Sequence, residues 1–306
     1  VLATERVRTL QAAVRAAQAH VSQSSAMVRQ GLATKSDALL ASVRAGDIES
    51  QLADAEGGAD IAQRQLAMLL GVGDAGHLTL PAALPPSVRI RAVIGADTAD
   101  VVPQERADVR AASQGLEAAR AGQLRARSGY LPRVNSFARF DWNSAGQLYG
   151  GDRNWTAGVM ASWSPFSGAS ELADMQLAAG HATTAAAQAE AAQANARLEL
   201  EQSRTTLTVA LARLTIAERS VAQSAEANRI VGRKYAGGLA TVVELLDAQA
   251  VETQSALGLS QAQWSAIAAA AERRRALGLD PSTLQVLDQA ALTADATTTA
   301  ASNPKE

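Results

Sequence analysis

The segment YAGGLATVVELLDAQ, residues 235–249, has a shorter counterpart much earlier in the chain, VRQGLATKSDALLAS, residues 28–42. Both contain Gly-Leu-Ala-Thr, and both lie between long alanine-rich segments that contain no proline. Glycine commonly ends a helix and threonine commonly caps the start of the next one. The motif therefore predicts the same tight turn between two long antiparallel helices, once in each half of the chain.

The composition favours long helices over a compact globular core. Of the 306 residues, 47% are hydrophobic but only 3% are aromatic, and alanine dominates. Alanine suits helices that pack closely along their length. The net charge of −2 gives no sign of nucleic-acid binding, and the absence of cysteine excludes disulfides and thiol chemistry.

The ends of the chain carry no targeting signal that we can identify. No apolar run reaches about eighteen residues, so we expect no transmembrane helix. No signal peptide is visible, and the chain begins with a sequence typical of a helix interior. We therefore expect the N-terminus of the natural protein to lie upstream of residue 1.

The first half of the chain predicts one helical hairpin followed by a linker. Apolar residues at helical spacing indicate a helix over 1–30, and a second helix runs from about Thr34 to Leu70, so residues 1–70 form the first hairpin. Residues 71–102 form a Gly- and Pro-rich linker region, in which SVRIRAVIGAD (87–97) is interpreted as a short strand or turn. Residues 103–132 then form a helix between Pro103 and Pro132.

The hydrophobic period changes from helical to alternating in residues 133–166. RVNSFARFDWN (133–143) and WTAGVMASWSP (155–165) each alternate between two faces, which predicts a β-hairpin. Strands of about eleven residues are long enough to cross an outer membrane. One face carries Trp142 in the first strand and Trp155, Val159 and Trp163 in the second, which suits contact with lipid. An amphipathic hairpin packed on a soluble core is the alternative that this pattern leaves open.

The last part of the chain predicts a second, longer helical hairpin over residues 167–280. Residues 169–236 contain no proline, and a return helix spans about 241–277. Elements this long are typical of coiled coils, bundles or tubes. The small polar tail, residues 281–306, is expected to be disordered. The fold class is thus mainly α, with long antiparallel coiled-coil hairpins and one β-hairpin.

Four segments, taken in this order, resemble the TolC-like outer-membrane efflux protein family. They are residues 30–71, 107–134, 155–168 (WTAGVMASWSPFSG) and 233–249 (RKYAGGLATVVELLDAQ). The resemblance implies a homotrimer in the outer membrane of a Gram-negative bacterium. Each complete protomer would give four strands to a β-barrel, and its long helices would form a periplasmic α-barrel tube. The channel would be a passive exit duct of a tripartite efflux pump or a type I secretion system.

The resemblance also implies partners and sites. The turns would be tips, with Gly31, Leu32, Gly238 and Leu239, on which a periplasmic adaptor protein docks and links the duct indirectly to an inner-membrane transporter. Tyr235, Ser36 and Asp37 match positions that form hydrogen bonds between tip helices in a closed state. A packed aromatic is the alternative for Tyr235, and plain helix capping is the alternative for the glycines.

Two acidic residues follow the second tip at a spacing that places them on one helix face. In a trimer, Glu244 and Asp247 would form two stacked acidic rings, and such rings select cations. The resemblance places these rings at the entrance constriction. The alternative is that both are first-turn acids favoured by the helix dipole.

The chain also departs from the family pattern in two places. The usual Arg-Pro-Asp is Arg106-Ala107-Asp108. Some members carry a basic or polar residue two places after the second tip glycine, where this chain has Ala240. No catalytic grouping, cofactor motif or metal-ligand spacing can be identified, so we expect no enzyme. A soluble periplasmic coiled-coil adaptor or scaffold is the alternative function, although nothing resembles the small β-domains that flank an adaptor hairpin.

Overall fold

The computed structural model describes residues 1–31, 33–73, 81, 83–96, 106–143, 152–164 and 168–283. These residues form long helices and a single antiparallel pair of strands. They divide into two compact units: residues 1–100 with 200–306, and residues 101–199. The mainly α fold with a small β part is therefore confirmed.

The predicted helices on either side of the two turns are confirmed. Helix α1 spans Leu2–Arg29 and α2 spans Lys35–Leu70, with Gly31 between them in a left-handed conformation. Helix α5 spans Ser170–Ala236 and α6 spans Val242–Ala276. The tail predicted to be disordered lies almost wholly outside the described residues.

Helices α1 and α2 pack as an antiparallel hairpin through small side chains. The buried residues of α2 are all alanines at helical spacing: Ala41, Ala45, Ala55, Ala59 and Ala67. Farther along the hairpin, the Gln18 amide donates to the Glu49 carboxylate across 2.9 Å. Alanine permits this close approach because its side chain adds little bulk and loses no rotamer entropy.

The segment 87–97 corrects the sequence interpretation, because it contains a helix and not a strand or turn. Helix α3 spans Ser87–Ala96. Ile90 and Ile94, one helical turn apart, are both buried against residues of α5 and α6 such as Leu214 and Ala266. The spacing of this buried pair follows the helical period, and tertiary packing decides the structure.

Polar contacts hold this region of the first unit in place. The Leu84 backbone N–H donates to the buried Glu5 carboxylate across 2.9 Å. The Arg91 guanidinium of α3 binds the Glu218 carboxylate of α5. This arginine lowers the pKa of Glu218 below its ordinary value.

The second unit contains α4, Ala107–Arg127, and the first part of α5, residues 170–199. The Arg106 guanidinium, just before α4, lies 2.7 Å from the Glu199 carboxylate, and Gly129, just after α4, lies beside Glu171. The two helical segments are therefore antiparallel. The helix predicted over 103–132 is shorter than expected, because it ends in a 3-10 turn over Ser128–Tyr130; Pro103 lies outside the described residues.

The hairpin is formed by β1, Arg133–Asn143, and β2, Asp152–Ser162. The first strand has the predicted bounds, whereas the second begins and ends three residues earlier than predicted. The sequence placed this start later because polar residues 152–154 resemble a loop, but backbone pairing with 141–143 includes them.

No described helix is long and apolar enough to cross a membrane. Among the described residues, no group of three or more histidine or acidic side chains could hold a metal ion.

At the start of α4 this chain has Ala107 where the family pattern has proline, and the effect of that difference on stability can be tested. This residue is the first of the helix, and the preceding Arg106 has extended backbone angles, φ −63° and ψ 140°. Both conditions suit proline, since the first helical N–H has no intrahelical acceptor. We expect Ala107→Pro to raise the free energy of unfolding by about 0.4–1 kcal/mol. In the control Ala118→Pro, inside the helix, a loss of about 3 kcal/mol is expected by urea denaturation.

Candidate functional site at the helical tips

The second tip ends α5 with a Schellman motif. Gly238 has φ +73°, its N–H donates to the Tyr235 carbonyl across 3.0 Å, and the Leu239 N–H donates to the Lys234 carbonyl across 2.8 Å. In this motif the residue after the glycine often packs on an apolar side chain three or four residues before the cap. Here those positions are Lys234 and Arg233, and Leu239 is 81% exposed.

The first tip contains a glycine in the same left-handed conformation. Gly31 has φ +71°, and its N–H donates to the Val28 carbonyl across 3.0 Å. A Cβ on either tip glycine would meet nothing within 4 Å, so their conformation, and not crowding within the chain, requires glycine. Leu32 lies outside the described residues.

The helices that follow both tips begin with the same capping box. The Thr34 hydroxyl accepts from the Asp37 N–H while the Asp37 carboxylate accepts from the Thr34 N–H. Thr241 and Glu244 form the same pair of bonds. The bond from the Thr241 backbone N–H, with the bond from its hydroxyl, lowers the pKa of Glu244. The repeated sequence thus encodes one turn by one set of contacts.

The two tips lie together at one end of the first unit, joined by a small cluster around Tyr235. Tyr235 is buried, and its hydroxyl lies 3.1 Å from that of Ser24 in α1, which is fully buried. Ala41 of α2 and Val242, Leu245 and Leu246 of α6 complete the cluster. Tyr235 therefore forms a hydrogen bond with Ser24 of α1 within one chain. The bonds expected between tip helices in a closed state stay a prediction.

The other predicted gate residues take local roles. Ser36 is exposed and bonds to the neighbouring Thr34 hydroxyl across 2.7 Å, and Asp37 serves the cap. Neither reaches another helix through a described hydrogen bond. Ala240, where some family members have a basic or polar residue, packs against the apolar cluster around Tyr235.

Asp247 differs from Glu244 because its carboxylate is not part of the cap. It is exposed and lines a groove of about 710 Å³ between α2 and α6, together with Arg44 and Asp47. Gln249, on the same groove, is buried and its amide donates to the Ala13 carbonyl of α1 across 3.5 Å. Of the two residues predicted to form acidic rings, only Asp247 has a carboxylate that is not bound in the helix cap.

Sequence reasoning missed Ser24 and Gln249, which join the two hairpins. A signal for Ser24 was available, because it continues the stripe of buried α1 residues formed by Leu10, Ala13 and Ala17 at three-, four- and seven-residue steps. A polar residue in such a stripe usually has a buried hydrogen-bond partner. The sequence could not indicate which residue that partner is.

In the second unit, the strand register places the predicted lipid-facing residues on one face. Phe140 lies opposite Trp155 and Ser136 lies opposite Val159. Trp155 and Val159 are 75% and 74% exposed, so nothing in the described chain covers this face. Trp163 lies just after β2 and is also exposed, and Trp142 lies in β1 opposite Arg153.

The other face of the hairpin contains one close contact. Phe137 lies opposite Gly158, and a Cβ on that glycine would lie 2.8 Å from the phenyl ring. The ring therefore covers the glycine backbone, and any larger residue at 158 would displace it. Arg139 with Thr156, and Asn135 with Met160, are the neighbouring pairs on this face.

Comparison with protein families gives one match, to the family described as Outer membrane efflux protein, over residues 100–279. This range covers more than half of the chain and includes the strand pair and the second tip. The chain belongs to the outer membrane efflux protein family. A comparison with curated protein sequences gives no match.

Solved outer-membrane channels share the fold of this efflux protein. The outer membrane protein VceC of Vibrio cholerae is 23% identical, with a TM-score of 0.75, over 91% of this chain and 67% of that chain. The CmeC channel of Campylobacter jejuni is 16% identical, with a TM-score of 0.71, over 95% and 64%. The open MtrE channel of Neisseria gonorrhoeae is 20% identical, with a TM-score of 0.69, over 92% and 65%. The chain spans about two thirds of the length of these channels.

Membership of the family settles two of the expectations from the sequence. Proteins of this family are transport ducts of the outer membrane with large periplasmic helical parts, so the predicted location is confirmed. The same membership confirms that the efflux protein is not an enzyme.

The Ser24–Tyr235 bond of this efflux protein can be measured by a double-mutant cycle. We expect Ser24→Ala to lower the free energy of unfolding by about 1–3 kcal/mol, because it leaves a buried hydroxyl without a partner. Tyr235→Phe in addition should cost little more, giving a coupling energy of about 0.5–1.5 kcal/mol. Denaturation followed by circular dichroism gives these values. Additive losses would show that the two hydroxyls do not interact.

Proposed function

We propose that this efflux protein is part of a trimeric, passive exit duct in a tripartite efflux pump or a type I secretion system, and that it docks a periplasmic adaptor through its helical tips. In this proposal residues 1–70 and 167–280 supply the hairpins of the tube, and residues 133–166 cross the membrane. Residues 71–102 link the two regions, and residues 103–132 enter the barrel. The observation that carries the docking role is the exposed Leu239 at a repeated, rigidly built tip.

A duct requires a membrane-spanning part, and the hairpin supports this role. Each strand has 11 residues, which at about 3.3 Å per residue and a tilt of about 45° spans the roughly 25 Å apolar band of an outer-membrane barrel. Its apolar face is exposed and includes Trp155, Val159 and Trp163. Two strands leave two open edges, and open edges are not tolerated in lipid, so further strands from other copies or chain segments must close the barrel.

The second tip supports docking of a partner because it exposes Leu239 on a turn that is fixed by hydrogen bonds. Exposed apolar side chains at a defined site indicate an interaction surface. The tip glycines keep the backbone bare, so that a helix of an adaptor can approach closely. A rigid turn also loses little entropy on binding, which strengthens the association.

The exposed carboxylate of Asp247 supports the proposal of an acidic ring at the entrance of the duct. Three copies on a threefold axis would place three Asp247 side chains around the pore, where they favour cations. Glu244 contributes less to such a ring, because its carboxylate already accepts bonds from Thr241.

The duct is tested with the full-length protein in liposomes that contain no energy source. A passive channel should form trimers and admit small polar solutes, and Asp247→Asn should weaken both cation preference and block by Mg²⁺. Glu244→Gln is the comparison and should change selectivity less. A protein that remains monomeric and admits no solute contradicts the proposal.

A further inference from the structure

The junction between α4 and β1 is rich in arginine and free of acidic residues. Residues 118–140 contain five arginines and no aspartate or glutamate. They are Arg120, Arg125, Arg127, Arg133 and Arg139. In a chain whose net charge is −2, this local excess of positive charge favours an anionic partner.

Three of these arginines surround an exposed leucine on the surface of α4. Arg120, Leu124 and Arg127 lie four and three residues apart and share a face, and Arg125 flanks Leu124 on its other side. Leu124 is 66% exposed, and none of the three arginines forms an ion pair with a described residue. The helix dipole favours Arg125 and Arg127 in the last turn, but it explains neither Arg120 nor the exposed leucine.

Aromatic side chains follow this basic surface directly. Tyr130 is 45% exposed and Trp163, just after β2 at the same end of the hairpin, is 63% exposed. The Trp163 indole N–H donates to the Tyr130 carbonyl across 3.2 Å, which ties the end of β2 to the segment before β1. Amphipathic aromatics of this kind concentrate where a membrane meets water.

We propose that this surface, the interfacial belt formed by Arg120, Leu124, Arg125, Arg127, Tyr130 and Trp163, binds the phosphate groups of anionic phospholipids. The proposal rests on the proposed function, since it takes the hairpin as membrane-spanning. The head-group layer begins where the strands end, so Tyr130 and Trp163 lie at its depth and the arginines of α4 follow on its aqueous side. Arginine pairs with phosphate through two parallel hydrogen bonds, and its long stem lets the guanidinium reach outward along apolar surface.

Arginines on the polar face of the hairpin provide a comparison that distinguishes lipid recognition from a general effect of positive charge. Arg133 and Arg139 alternate with the apolar residues of β1 and lie on the polar face of the hairpin, with Asn135 and Phe137. Arg133 lies at the junction and Arg139 lies inside β1. Both carry the same charge as Arg120 and Arg127, but on a face that turns away from lipid. The two pairs therefore form a matched comparison.

The experiment uses the full chain in mixed micelles and brominated lipids that quench tryptophan fluorescence. Brominated phosphatidylglycerol should quench at a lower mole fraction than brominated phosphatidylethanolamine, and this preference should weaken with added salt. Arg120→Gln with Arg127→Gln should reduce the preference by roughly fivefold for each arginine. Arg133→Gln with Arg139→Gln should leave the preference unchanged, and circular dichroism should show the same helix content in all variants.

The outcomes distinguish this proposal from the proposed function. Quenching by both lipids without preference, or an equal loss in the two double variants, overturns the anionic-lipid site and leaves the membrane hairpin intact. Displacement by inorganic phosphate beyond chloride at matched ionic strength shows a free-phosphate site and overturns the assignment to lipid. An absence of quenching by either lipid overturns the membrane-spanning hairpin, and the lipid site with it.

Discussion

Replacing Leu32 and Leu239 together with aspartate should abolish export while leaving assembly of the channel unchanged. The structure supports this expectation at Leu239, which is 81% exposed. Burying a leucine in a notch of a partner contributes about 2 kcal/mol, and an aspartate in the same notch would have to lose its hydration. In the proposed trimer the sites are repeated three times, so the losses combine.

Export of a fluorescent substrate by cells that carry the full-length protein with the proposed adaptor and transporter measures this effect. Leu69→Asp is a matched control, since Leu69 is 84% exposed but lies at the end of α2 away from the tip. It should leave export normal. A bulky residue at Gly238 should also block export, but it strains a backbone with φ +73°, so its effect has two causes. Export that persists in the double leucine variant at normal expression would mean that the turns serve only as caps.

Val159→Arg should destabilise the full-length protein in the membrane by about 2–4 kcal/mol, if Val159 lies near the middle of the bilayer. Val159 is 74% exposed on the apolar face of the hairpin, opposite Ser136. A guanidinium at this position would enter hydrocarbon without a partner, and neither Ser136 nor the neighbouring alanines could pair with it. The free energy of unfolding from lipid vesicles in urea or guanidinium measures the loss.

The matched control is Met160→Arg, one residue away and on the opposite face. Met160 lies opposite Asn135, so an arginine there meets a polar neighbour, and the effect on unfolding should be mild. Ser162→Arg is a weaker control, because Ser162 lies opposite Arg133 and the added charge would meet a like charge. Equal tolerance of arginine at 159 and 160 would favour a hairpin packed in water.

Local chemistry allowed much of this structure to be predicted. The Gly-Leu-Ala-Thr turns, the capping threonines and the ends of the long helices depend on contacts within a few residues, and a glycine with φ near +70° or a capping box leaves a direct mark in the sequence. The strand alternation is equally local, so the faces of the hairpin were assigned correctly even though the start of β2 was placed three residues too late.

Tertiary structure decided what depends on residues far apart in the chain. Segment 87–96 forms the helix α3 and not a strand because Ile90 and Ile94 pack together between α5 and α6. Ser24 and Tyr235 are separated by 211 positions, and no local pattern pairs them. The sequence by itself determined the turns, the helices and the alternating strands, because hydrogen bonds between near neighbours fix them. Which side chains meet across the bundle follows from how the helices pack, and only the folded chain shows it.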